Sequence, residues 1–230
     1  MSVLTVVLSP SRDAFRSRMT PKQAQGQAKI VHGLLDGHGV GVFTEWKRRR
    51  EVTRATFGPF TPWRTGCGNP TVQVGGRSKT WGFTLGHKAV AGVCGARWIS
   101  WQTVDFDGLK VGVVGVHPTP GGPWQRGRPL RQQARTRAIV GAWRRYRRRA
   151  TTVALRLYKE CDLVVVAGDI NRPGGFDFVE GWTRVMPPRD LKYVAYRARP
   201  GVRVKAGAAH LLRVPGADHQ TVAVRLEVTR

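Results

Sequence analysis

The sequence predicts an α/β fold in which two sheets pack as a sandwich flanked by helices. Three observations carry this. Apolar runs of strand length recur along the whole chain, and helical patterns separate only some of them. The resulting order is strand, helix, strand, several strands, helix, strand and final strand. It lacks the regular alternation of a doubly wound nucleotide-binding sheet, and two sheets covered by helices suit it better.

The expected strands cover residues 3–8, 40–44, 80–85, 98–104, 110–117, 163–167 and 221–228. Between the first two, Thr20-Pro21 is a good cap and first-turn pair for a helix. Ala24, Ala28, Val31 and Leu35 then fall on one face before Gly37 and Gly39 stop it. The glycines, prolines and Asn69 between positions 57 and 79 read as a long loop. A second helix is expected from about Leu130 to Cys161, with a break near positions 150–152. No repeat, linker or low-complexity tail divides the chain, so residues 1–230 are read as a single domain.

A chain of 230 residues with 41% hydrophobic residues fills a sizeable core. No stretch reaches the roughly eighteen apolar residues of a membrane span. The run at 3–8 is short for a signal sequence and lacks a basic region before it. The protein is therefore read as soluble, cytoplasmic and monomeric, with no membrane partner. Cys67, Cys94 and Cys161 lie far apart with no C-x-x-C pairing, which points to reduced cysteines in the core and away from a disulfide framework or a zinc knuckle. The formal net charge of +25 creates a positive potential that attracts polyanions, and nucleic acid, DNA or RNA, is the natural partner. Such charge positions a protein on phosphates without reading a base sequence.

Three segments join an apolar run to a sudden cluster of polar groups. In Leu163-Val164-Val165-Val166-Ala167-Gly168-Asp169-Ile170-Asn171, the acid and the amide have strand spacing and share a face. Gly216-Ala217-Asp218-His219 precedes the alternating residues Val222, Val224 and Leu226. Val111 to Val116 lead directly into His117-Pro118.

The Gly-Asp-Ile-Asn, Ala-Asp-His and Val-His-Pro-Thr-Pro segments resemble, in the same chain order, three motifs of the deoxyribonuclease I-like (endonuclease/exonuclease/phosphatase) superfamily. A fourth match is Val42-Phe43-Thr44-Glu45, where that family carries a glutamate after its second strand. The resemblance spans Glu45 to His219 and implies a deoxyribonuclease I-like two-sheet α/β sandwich. It further implies hydrolysis of phosphoric esters with magnesium or manganese. Glu45 and Asp218 would hold the metal, and a hard divalent cation commonly takes only one or two carboxylates while keeping waters and phosphate oxygens. Asp169 would orient or deprotonate the attacking water, and Asn171 would donate to a phosphate oxygen. His219 would stabilise charge on the pentacovalent phosphorus, and His117 would donate to the scissile phosphate.

Two positions depart from the family pattern. Its asparagine at the end of the first strand is replaced in Val6-Val7-Leu8-Ser9-Pro10, which offers only Ser9. Its aspartate that holds the catalytic imidazole corresponds to Lys192 in Leu191-Lys192-Tyr193-Val194, and Asp190 is the candidate substitute for orienting His219.

The long helix carries Arg126, Arg128, Arg131, Arg135 and Arg137 on its approach and first turns, then Arg144, Arg145, Arg147, Arg148 and Arg149, without an intervening acid. Guanidinium groups match phosphate geometry, so the run from Arg144 to Arg149 is a candidate nucleic-acid contact; a solvated helix face is the other reading. Trp143 is read as core packing and not as a base-stacking platform. The leading function is a nuclease. A family member that binds nucleic acid without cleaving it, and a phosphatase for small or lipid phosphates, remain open at this point.

Overall fold

A computed structural model describes residues 1–10, 38–44, 71–76, 86–90, 97–118, 130–170, 179–185, 192–213 and 220–230. Twelve strands and one helix lie among them. The strands are β1 (Ser2–Pro10), β2 (His38–Thr44), β3 (Thr71–Gly76), β4 (Gly86–Val90), β5 (Arg97–Phe106) and β6 (Leu109–Val116). They continue with β7 (Leu163–Asp169), β8 (Thr183–Arg184), β9 (Lys192–Ala198), β10 (Arg203–Ala206), β11 (His210–Leu212) and β12 (Thr221–Thr229). The helix α1 spans Leu130–Glu160. No helix among the described residues is long and apolar enough to cross a membrane.

One sheet has the order β10-β12-β1-β2-β3, with β11 also paired to β12; the other has the order β4-β5-β6-β7-β9-β8. Each is mixed. In the first, β1 and β2 run parallel while β12 and β3 flank them antiparallel. In the second, β6 and β7 are the parallel pair. The reach from β6 to β7 contains α1, as a parallel crossover requires.

Residue alternation turns these ladders into layers. Leu4, Val6, Leu8, Val40 and Val42 from the first sheet share one core with Val111, Val113, Leu163, Val165, Ala167 and Val194 from the second. The intervening residues of the second sheet, Val114, Val116, Val164, Val166 and Tyr193, pack with Trp143, Tyr146, Ala150, Val153 and Leu157 of α1. β7 is thus buried on both faces, which is why it reads as a continuous apolar run and not as an alternating one. β5 and β6 are joined by Asp107-Gly108, both at positive φ (48° and 75°), the pair that a two-residue hairpin turn favours.

Several expectations change. The stretch from 57 to 79 is not all loop: Thr71–Gly76 forms β3, pairing Val72 with Val42 and Val74 with Val40. The helix is unbroken through 150–152. Ala150 and Ala154 continue its buried stripe, and Thr152 is accommodated by donating its Oγ1 to the Arg148 carbonyl at 3.0 Å. Strands β4, β8, β9, β10 and β11 were not expected. The expected strand at 80–85 and the helix after Thr20 lie outside the described residues, as do Cys67 and Cys94. Cys161 is a buried free thiol, as its core assignment requires.

Candidate active site

The second sheet brings two of the sequence-flagged polar residues to neighbouring strand ends. β6 and β7 are parallel and their last pair sets Val116 opposite Gly168, so His117 and Asp169 each come one residue beyond it. Both continue the odd-numbered alternation of Val111, Val113, Val165 and Ala167, so their side chains stand on the face turned toward the first sheet. His117 is 2% exposed and Asp169 7%.

Gly168 makes this closeness possible. A Cβ built at Gly168 would fall on the Val116 carbonyl oxygen, with Val116 Cγ2 only 2.8 Å away. The glycine before the acid therefore permits close backbone approach, one of the uses that glycine has in strands.

On the opposite face, α1 holds both strand ends. Tyr146 Oη accepts the main-chain N–H of His117 at 2.8 Å, and Trp143 Nε1 donates to the Ile170 carbonyl at 3.2 Å. Both aromatics are fully buried, and burial pushes the Tyr146 phenol well above its ordinary value despite the opposing His117 hydrogen bond and Arg97 charge. The phenol therefore stays protonated at neutral pH. A third aromatic works on β9: Tyr193 Oη accepts the Val179 N–H at 3.3 Å.

β9 adds a residue to the site that the family pattern associates with His219. Lys192 pairs with Asp169 at the last rung of the antiparallel β7–β9 ladder, is 6% exposed, and shares the inward alternation of Val194 and Tyr196.

In the first sheet, three neighbouring strands share one end. β1 and β2 end together with Pro10 opposite Thr44, and Leu8 pairs with Val222 near the start of β12. Glu45 follows Thr44 in sequence, and Asp218-His219 precede Gln220. Glu45, Asn171, Asp190, Asp218 and His219 themselves lie outside the described residues.

No protein-family model matches the chain, and no curated protein matches it. Solved structures do. Truncated TDP2 from Caenorhabditis elegans superposes with a TM-score of 0.64 at 12% identity, over 97% of each chain. TDP2 from D. rerio, complexed with a single-strand DNA product, gives 0.63 at 13% identity over 99% of this chain and 100% of that one. The endonuclease/exonuclease/phosphatase from Bacteroides vulgatus gives 0.60 at 13% identity over the whole of both chains. The chain has the deoxyribonuclease I-like fold.

Within this deoxyribonuclease I-like fold, the arginine run occupies the flank. Arg144, Arg145, Arg148 and Arg149 are exposed on α1, which covers the face of the second sheet opposite to His117 and Asp169. Arg147 is half-buried and holds Glu180 at 2.7 Å, tying the helix to the segment before β8. Trp143 and Tyr146, embedded among these arginines, are core residues. The core reading of Trp143 thus holds, but that Tyr146 reaches the His117 backbone depends on the crossover geometry, which no local pattern carries.

Proposed function

We propose that the chain is a divalent-metal-dependent phosphodiesterase of the nuclease type. The observation that carries this is the convergence of His117 and Asp169 from separate motifs onto adjacent strand ends and one face, at a glycine that admits no side chain. Asp169 orients or deprotonates the attacking water, and His117 donates to the scissile phosphate. Asn171 donates to a phosphate oxygen, and His219 stabilises the charge that develops on phosphorus, with Asp190 the candidate for orienting that imidazole.

The donor chemistry fits magnesium or manganese. Glu45 and Asp218 are hard oxygen donors, and β2 ends, as β12 starts, at the same end of the sheet, since β2 ends beside β1 and β1 pairs with the start of β12. A metal held there supplies withdrawal of charge from the phosphoryl oxygens and leaving group.

Polynucleotide is the substrate favoured by the +25 charge, and the single-strand DNA product bound by D. rerio TDP2 supports testing single strands first. The experiment is incubation of the purified protein with labelled single- and double-stranded DNA and RNA, each with magnesium, manganese or a chelator. Chelator-sensitive cleavage is expected. Binding without cleavage under every metal condition would leave a nucleic-acid-binding protein on a nuclease fold.

A further inference from the structure

We propose that one flank of α1 is a polynucleotide-binding stripe made of Arg145, Arg149 and Arg156, with Arg156 fixed in place by Trp101. The inference rests on polynucleotide being the partner, as in the reading above, and not on its cleavage. At 3.6 residues per turn, positions 145, 149 and 156 fall within about 40° of one another around the helix axis. All three arginines are exposed, and no acid occurs on α1 before Glu160. Along the axis they stand about 6 Å and about 10.5 Å apart, or about two and about three phosphate steps along one strand of a duplex. A straight row of guanidiniums thus matches a repeating row of phosphates.

Arg156 lies outside the sequence cluster that ends at Arg149, and the fold supplies what the cluster lacks. Its Cζ stands 5.0 Å from the centroid of the Trp101 ring. Trp101 belongs to β5, shares the helix-side face of the second sheet with Ile99, and is half-buried against that core. The ring attracts the cation and restricts its rotamers. An arginine loses side-chain freedom when it binds a phosphate, and a guanidinium already seated on an aromatic face loses less. Stacking uses the face of the guanidinium and leaves N–H groups at its edge for phosphate oxygens. Arg156 is therefore the preorganised contact of the stripe.

An anionic membrane is the other extended partner that a basic helix can meet. A helix lying in a bilayer interface turns an apolar face to the lipid, whereas α1 buries its apolar face against the second sheet. The observations therefore favour the polynucleotide.

The test is equilibrium binding to labelled single-strand and duplex DNA over a range of salt, with a chelator present so that cleavage plays no part. Arg156→Gln should lower the slope of log affinity against log salt by about 0.9 on duplex and about 0.7 on single strands. Arg203→Gln removes the same charge from an exposed position on β10 of the other sheet and should leave the slope unchanged. Trp101→Leu keeps the Arg156 charge but removes its seat, so affinity should fall about two- to fivefold at the wild-type slope. Adding Trp101→Leu to Arg156→Gln should cost nothing further. A wild-type slope in Arg156→Gln overturns the stripe, and so does an equal fall in Arg203→Gln, which would mean a diffuse field. Multiplicative losses in the double variant overturn the role of the ring; if Trp101→Leu does not fold, Trp101→Phe replaces it in the same cycle. Loss of binding to phosphatidylglycerol vesicles in Arg156→Gln, with DNA binding unaltered, would give the stripe to a membrane and overturn the proposal. A wild type that binds DNA but cleaves nothing sinks the phosphodiesterase reading alone.

Discussion

Gly168 sets the spacing of the site at the level of single atoms. An added methyl group meets the backbone of Val116, which cannot rotate away as a side chain would, so the β6 and β7 ends must separate. Gly168→Ala is expected to cost about 1–3 kcal/mol in denaturant unfolding, the usual range for overpacking. It should cost more in turnover than that loss implies, because His117 and Asp169 directly follow the pair that moves. Wild-type turnover in a folded Gly168→Ala protein would argue that the rung spacing is irrelevant to the chemistry. Asp169→Asn is expected to reduce turnover by about a hundredfold or more, the range for loss of a general base. Cys161 is the opposite kind of residue: burial pushes its thiol from the ordinary 9.0 up to about 11, so it stays protonated at neutral pH. Because the folded state holds that proton more tightly, its contribution to stability is present below about pH 9 and fades toward pH 11. Peptide mapping after maleimide treatment at about pH 8, below the ordinary thiol range, should find Cys161 unlabelled in the native protein and labelled in denaturant. His117 and Asp169 were legible in the sequence because each ends an apolar run with a sudden polar group. The pairing of Lys192 with Asp169 was not, because antiparallel register between β7 and β9 is a tertiary property that neither segment encodes alone.

Among the elements, α1 supports the site from behind. Its contacts to His117 and Ile170 come from residues about one turn apart, so the helix fixes both strand ends as a unit. Tyr146→Phe removes the acceptor of a buried N–H, and leaving such a group unsatisfied costs about 1–3 kcal/mol. The expected outcome is a stability loss in that range, accompanied by a lower kcat at nearly constant KM, because His117 loses its hold while the cleft remains. A stability loss with unchanged kcat would make Tyr146 a core residue only. The legibility of elements follows burial. β6 and β7 announce themselves because residues 111–116 and 163–168 are apolar throughout, and β12 because it alternates. β3 was hidden by the two glycines that end it and by its length of six residues, which gives alternation little room to register. The expected helix break at 150–152 arose where the arginine pattern gives way to threonines, yet the buried alanines on either side hold the stripe in phase. The helix amphipathicity, not its charge, decides its length.

Across the whole molecule, the +25 charge can act as a diffuse field or through one face. A diffuse field speeds the encounter with any polyanion, while a defined contact releases counterions from particular phosphates. We expect the exposed face of α1 to make such contacts, because Arg144, Arg145, Arg148 and Arg149 are exposed together and no acid interrupts them in sequence. Arg147 belongs to a different class, since Glu180 already holds it. Replacing the four exposed arginines by glutamine leaves most of the net charge in place, which separates the two cases. If the face binds the polyanion, the slope of log affinity against log salt for duplex DNA should flatten by about 0.9 for each phosphate that the variant no longer neutralises, up to about 3.6 for four. Hydrolysis of a small phosphodiester should be nearly unchanged, since α1 lies on the opposite side of the second sheet from the inward face of His117 and Asp169. A slope equal to that of the wild type would assign binding to the diffuse field and the arginine run to a solvated surface. Giving Arg147 a role on the polyanion would then require that Arg147→Gln alone alter the slope more than it alters the stability lent by its bridge to Glu180, a comparison that the same titration and one unfolding curve complete.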